Sequence, residues 1–196
     1  MRVNLVLLVP IVYLWANISI AYEETSYRIV ATNKNYEIRE YDDRLAVQTS
    51  QENGQNKAFR ELFKYISGSN TSSMKIEMTI PVTQSIKIDM TTPVTQKFQD
   101  GKIIMRFFLP RKFQPETAPQ PLNEDLSIVV VKGGKYAVMK YSGRSTVKNF
   151  EKHSNLLLKA LSVNEITTLD DPIKATFNGP LTPFFVRRNE VMIRIK

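Results

Sequence analysis

A single histidine, His153, and no cysteine stand in this chain of 196 residues, so the usual side-chain chemistry is sparse. Without thiols there is no disulfide scaffold, no Cys zinc site and no thiol nucleophile, and one imidazole cannot make a His-rich metal cluster. Carboxylates are what remain for acid–base work. Glu77 and Asp89 hold equivalent places in a tandem repeat, Ser73–Gln84 followed directly by Ser85–Gln96, with nine of twelve positions identical. Two carboxylates side by side in a cleft can divide the roles of general acid and general base, which makes a small-molecule hydrolase one reading of the pair. Strand alternation argues against a cleft. It turns Ile76, Met78 and Ile80 one way and Lys75, Glu77 and Thr79 the other, toward solvent. No Gly-rich phosphate loop, G-x-S-x-G elbow or metal-ligand spacing occurs.

The elements around the repeat fall into two similar halves. YEIREY (36–41) and RLAVQTS (44–50) alternate in polarity around Asp42-Asp43, which predicts a hairpin. KAFRELFKYI (57–66) sets Ala58, Phe59, Leu62, Phe63 and Ile66 at helical spacing before Gly68. Strands are expected at 75–82, 87–94 and 103–110, with Pro81 and Pro93 ending theirs because proline cannot donate to a ladder. A Pro-rich polar connector, 113–125, leads to the second half. There LSIVVVK and KYAVMKYSG flank Gly133-Gly134, again a hairpin signal. VKNFEKHSNLLLKAL (147–161) has helical spacing of Val147, Phe150, Leu157, Leu158 and Leu161, and KATFNG and EVMIRIK end the chain as strands. The fold class that follows is α+β: an antiparallel sheet or barrel from two hairpin–helix–strands halves, with a helix against each.

Residues 1–21 read as a signal peptide. Arg2 precedes a run without charge as far as Ala21, and Ser19 and Ala21 are the small residues a signal peptidase requires. Pro10 and Asn17 weaken the rival reading as a membrane anchor. The expectation is a secreted protein with one domain, 22–196, and no integral membrane association once the leader is cut. Asn70-Thr71-Ser72 is a glycosylation acceptor triplet in the polar run SGSNTSS, an expected exposed loop. The formal net charge of +8 suits anionic ligands or acidic surfaces. It is spread along the chain with no basic–aromatic cluster, so nucleic acid is not indicated.

At the repeat the chain resembles the SOUL haem-binding protein family. The K-I-x-M-T-x-P-V block matches Lys75–Val82 and recurs at Lys87–Val94, and R-R-N-E-V matches Arg187–Val191. YEIREY, FRELFKYI, RFFLP and AVMKYSG fall around those blocks in the family's order. The resemblance implies a distorted antiparallel β-barrel with two flanking helices, and binding of haem or another porphyrin rather than catalysis.

It also implies a place for the ligand, in an apolar groove along the first helix facing the loop before R-R-N-E. On this chain the helix supplies Phe59, Leu62, Phe63 and Ile66, with Lys57, Arg60 and Lys64 as propionate partners. The loop 177–186 supplies Leu181, Phe184 and Phe185. Thr182-Pro183 stand where some relatives carry a second cation, and the histidine some members use near the start of the domain has no counterpart. Binding without a strong axial protein ligand is therefore expected, with His153 as a flanking surface residue and Met78, Met90 and Tyr65 as packing residues. The alternative reading is a secreted protein-interaction module of the same fold that binds no tetrapyrrole.

Overall fold

The computed structural model describes residues 23–51, 55–85, 103–179 and 181–196. The leader 1–21 and most of the second repeat block, with Asp89 and Met90, lie outside them. In chain order the elements are β1 (Glu23–Glu24), β2 (Arg28–Thr32), β3 (Glu37–Tyr41), β4 (Arg44–Gln51), α1 (Gln55–Ile66), β5 (Thr79–Ile80), β6 (Val82–Ser85), β7 (Ile103–Phe108), β8 (Leu126–Val131), β9 (Gly134–Tyr141), α2 (Val147–Val163), β10 (Ile173–Thr176) and β11 (Asn189–Arg194). Nine strands form one sheet in the order β2-β3-β9-β11-β10-β6-β7-β4-β8, and β1 pairs separately with β5. Every pairing within the large sheet is antiparallel. No helix among the described residues is long and apolar enough to cross a membrane.

Both helices lie on the same face of this sheet. Phe107, Val82, Thr176, Asn189 and Tyr141 are successive partners across five strands, and directly opposed residues share a face. Under α1, the side chains of Val47, Met105 and Phe107 meet Ala58, Leu62, Tyr65 and Ile66. Under α2, those of Ala137, Met139, Val191 and Ile193 meet Phe150, Leu157 and Leu161. Full burial of such side chains contributes roughly 1.5–3 kcal/mol each. On the other face Tyr136, Val138, Ala175 and Met192 pack with Phe177. Residues of eight strands there line a single cavity of about 50 Å³, so the sheet curls around it. This is the expected α+β distorted barrel with two flanking helices.

The strand pairing differs from the expected hairpins. β3 pairs with β2 and β9, and β4 pairs with β7 and β8, so neither 36–50 nor 126–142 folds back on itself. Tyr41 faces Gly134 and Arg44 faces Val131, which keeps one register through both breaks. The two segments form a single long ribbon with a corner in it. Asp42-Asp43 and Lys132-Gly133 are the two sides of that corner: Gly133 N–H donates to Asp43 Oδ1 at 2.8 Å, and Lys132 Nζ lies 2.7 Å from Asp43 Oδ2. A Cβ on Gly133 would sit 2.2 Å from Tyr41 O, so glycine serves a close crossing of chains rather than a reversal.

Three smaller expectations also change. Residues 75–78 are not a strand; Ile76 N–H donates to Ile66 O at 2.7 Å and ties the segment to the end of α1. Val147 is exposed on α2, and buried Ser154 stands in its apolar stripe. Asn70 is buried rather than in an exposed loop. Its Nδ2 donates to Tyr65 O at 3.0 Å and to Met74 O at 2.7 Å, while Oδ1 accepts from Ser72 N and Met74 N. The amide thus satisfies a terminal carbonyl of α1, and the nitrogen that would carry a glycan is engaged.

Candidate ligand-binding site

Helix α1 leaves two large aromatics outside. Phe59 and Phe63 are 40% and 48% exposed, and their rings stack at 6.1 Å with 13° between planes. Phe59 also meets the buried Phe107 edge-on at 5.2 Å, which anchors the pair over β7. Leu62, expected beside them, is fully buried against the sheet. It faces inward one residue short of Phe63 and belongs to the core, which corrects its assignment as a pocket wall. Lys57, Arg60 and Lys64 are exposed. Lys64 Nζ lies 3.1 Å from Glu61 Oε1, and an exposed pair of this kind holds only weakly.

The chain between β10 and β11 presents the second group. Leu181, Phe184 and Phe185 are all exposed, as is Val186. The loop has fixed supports nonetheless: Gly143 N–H donates to Phe184 O at 3.0 Å, and Arg187 Nε donates to Thr182 O at 2.7 Å. The Arg144 guanidinium lies 5.5 Å over the Phe184 ring. Beneath it is an open hollow of about 570 Å³, walled by Arg144, Ser145 and Thr146 on one side and Leu181–Phe184 and Arg187 on the other. These walls come from the approach to α2 and not from α1. Arg188 turns away to Glu24 and Glu190 and stacks on Phe177 at 3.8 Å.

Sheet register relates the two groups. Phe107 opposes Val82, which opposes Thr176, the last residue before the loop. Strands are about 4.8 Å apart, so the loop leaves the sheet about 10 Å from the strand that carries Phe107. α1 packs on β4 and β7 and α2 on β9 and β11, which leaves β6 and β10 between the helices. β6 and β10 thus floor a trough between the helices, with α1 on one bank and the late loop springing from the other.

The floor of this trough carries polar residues that sequence reasoning passed over. Gln84 and Lys174 are partners across β6 and β10 and are 6% and 5% exposed. Lys174 Nζ donates to Ser145 O at 2.7 Å, and burial pushes its pKa below the ordinary 10.5. Gln84 Nε2 is buried without a partner. Asn189 Nδ2 donates to Gly143 O at 3.1 Å while its Oδ1 is unsatisfied, and Ser145 Oγ and Thr176 Oγ1 lie 3.3 Å apart. The signal available in the sequence was the polar half of the Ile173–Thr176 alternation, which reads as a solvent face until the helix-bearing side is known.

The opposite face of the sheet carries a charge group that is satisfied from within the chain. Arg39 is fully buried, with Nη1 2.9 Å and Nη2 3.3 Å from the two carboxylate oxygens of buried Glu190. Glu37 and Tyr41 complete the group. Burial alone would lower the Arg39 pKa, but hydrogen bonding to Tyr41 and the charge of Glu190 outweigh it and hold the pKa well above the ordinary value. The nearby cavity of about 50 Å³ is far below the roughly 300–1,000 Å³ of ligand pockets.

Candidate metal ligands are committed elsewhere. The His153 ring stacks on Tyr141 at 4.2 Å, and its Nδ1 is 2.7 Å from Asn149 O. Tyr65 OH donates to Pro119 O at 2.8 Å, and burial lifts its pKa to about 12. Met78 packs on the core under α1. Among the described residues no three His, Asp or Glu side chains gather to hold a metal. Glu77 is exposed, but residues 75–78 are not a strand and Thr79, expected on the same solvent side, is fully buried, its hydroxyl bonded to Phe108 O.

Comparison with known proteins places the family and the fold. The model of the SOUL heme-binding protein family matches residues 22–194. Heme-binding protein 2 of Homo sapiens is 29% identical over 170 residues, spanning 81% of this chain and 77% of the human protein. Two solved structures share the fold at low identity. The EcmrR C-terminal domain superposes with a TM-score of 0.57 at 8% identity, over 87% of this chain and 98% of that one. A structure described as a hydrolase from Listeria innocua gives 0.53 at 9% identity, over 85% and 94%.

Proposed function

The chain belongs to the SOUL heme-binding protein family, and from that premise we propose that it is a secreted, non-catalytic binder of haem or a related porphyrin. Residues 1–21 serve as the signal peptide and 22–196 as the single binding domain. The macrocycle lodges against Phe59 and Phe63 on one bank and Leu181, Phe184 and Phe185 on the other, with Arg60 and Lys64 at the rim for propionates. The observation that carries this reading is the pair of aromatic groups left outside the core across one trough. Clusters of large aromatics left exposed in this way mark candidate binding surfaces. Bound haem would bring its own iron chemistry; the protein's part is to desolvate the ring and offset its carboxylates. Because the chain's one imidazole, His153, sits on α2 stacked on Tyr141 of β9 and not on α1 beside Phe59 and Phe63, iron on this reading receives no strong axial ligand from the protein, and metal-free porphyrin binds comparably.

Titration of the purified protein with haem and with metal-free protoporphyrin tests this. The expected result is saturable one-to-one uptake of both, read from the Soret band and unchanged in His153→Ala. A Soret spectrum of axial histidine ligation that disappears in His153→Ala would overturn the statement on iron. Absence of saturable uptake of either compound would overturn the binding function and leave a protein-interaction module of this fold.

A further inference from the structure

Four charged side chains are buried among the described residues: Arg39, Arg44, Lys174 and Glu190. Arg39 and Glu190 neutralise each other, and Arg44 Nη2 reaches Glu23 Oε1 at 3.3 Å. Lys174 is different. Its ammonium meets a backbone carbonyl, Ser145 O, and no carboxylate. A buried ammonium without a counterion is costly, and a partnerless amide nitrogen beside it, Gln84 Nε2, adds to that cost. Both groups are donors, so what would relieve them is an acceptor carrying negative charge.

Their position shows how such an acceptor arrives. Lys174 and Gln84 sit side by side on β10 and β6 in the strip between the helices, and Lys174 lies two residues before Thr176, about 7 Å along the strand from where the late loop begins. Ser145, which takes the Lys174 hydrogen bond, is itself a wall of the hollow beneath the late loop. We propose that Lys174 and Gln84 form an inner carboxylate subsite, so that the ligand enters with one of its carboxylates pointing into the fold and the rest of its edge outward. The inference rests on the tetrapyrrole reading above and narrows its ligand class to macrocycles bearing a free carboxylate. It also supplies, from the sheet, the second cation that Thr182-Pro183 do not provide in the loop.

The test compares protoporphyrin IX with its dimethyl ester, both metal-free, by fluorescence titration of the wild-type protein and of Lys174→Met, Gln84→Leu and Lys64→Met. The wild type is expected to favour the acid at least about tenfold, the size of one charge-assisted hydrogen bond. Lys174→Met should lose most of this preference, keeping only what the rim cations Arg60 and Lys64 contribute. Gln84→Leu should reduce the preference in the same direction even if the lysine variant fails to fold, and Lys64→Met should keep most of it. Equal binding of acid and ester by the wild type overturns the subsite. So does a preference that survives Gln84→Leu undiminished, or one that survives Lys174→Met and vanishes in Lys64→Met. Tetrapyrrole binding itself stands in all of these cases. If neither compound binds the wild type, it is the tetrapyrrole reading that fails.

Discussion

Arg39 and Lys174 are both buried cations of one sheet, on its two opposite faces, and they are treated in opposite ways. Arg39 sits among Glu190, Glu37 and Tyr41 with its guanidinium satisfied on several sides. Lys174 has one carbonyl. The desolvation penalty is of the same kind for both, so the difference lies in who supplies the opposite charge. On the curled inner face the chain supplies it. On the helix-bearing face, between α1 and α2, the chain leaves it to something else.

The largest effect that can separate the two faces is on stability. Arg39→Met leaves the fully buried Glu190 carboxylate with Arg188 as its one remaining ion-pair partner, at a cost of up to about 3–5 kcal/mol. A matched Arg39→Met/Glu190→Leu pair should recover part of that loss, because it removes the under-compensated buried charge along with its partner. Lys174→Met, by contrast, should leave the urea midpoint unchanged or raise it. If the two single substitutions prove equally damaging, Lys174 is structural and the contrast collapses.

A smaller effect sharpens the same contrast from the ligand side. Phe63→Ser removes an aromatic that is half outside the core, so urea unfolding should shift by no more than about 0.5 kcal/mol. Porphyrin affinity should fall by about tenfold, the value of roughly 50 Å² of apolar contact at about 25 cal/mol per Å². Substitution of Ile173 by Ala, next to the inner cavity, should do the reverse: lower stability and leave porphyrin affinity alone. Soret titration and urea unfolding of the two variants side by side would show whether the ligand uses the helix-bearing face.

The sequence made one of these faces legible and hid the other. Helical spacing located α1 and α2 to within a few residues, because their apolar stripes are set by local periodicity. The exposed aromatics were readable for the same reason, although spacing cannot tell Leu62, which points straight down, from Phe59 and Phe63 on its flanks. Pairing was not legible. Asp42-Asp43 and Gly133-Gly134 look like two turns in one dimension, and only a long-range contact between them shows that they are two sides of one corner. β2 escaped notice because it is an edge strand with every side chain exposed, and so carries no alternation. Lys174 was hidden by the same limit: a lysine in an alternating strand reads as solvent-facing, and its burial depends on which face both helices choose.

The smallest effect is a slope. Burial holds the Lys174 pKa below 10.5 in the native state, whereas the unfolded chain keeps the ordinary value. Between those two values the unfolded state binds more protons, so this group's contribution to stability rises with pH. Below the native value the full cost of burying the charge is present; above 10.5 it is gone. Tyr65 and Tyr141 act in the opposite sense, since burial lifts each to about 12, so the unfolded phenols ionise first and stability falls above pH 10. That fall is common to the wild type and Lys174→Met and cancels in their difference. The stability advantage of the variant should therefore shrink as pH rises toward 10.5 in urea unfolding without ligand. With saturating protoporphyrin IX, whose carboxylate would favour the charged amine, the wild-type protein should lose this dependence, and with the dimethyl ester it should keep it. A difference that stays flat with pH would mean that Lys174 keeps its proton in the native state as readily as in the unfolded chain, and an ammonium already satisfied needs no carboxylate from a ligand.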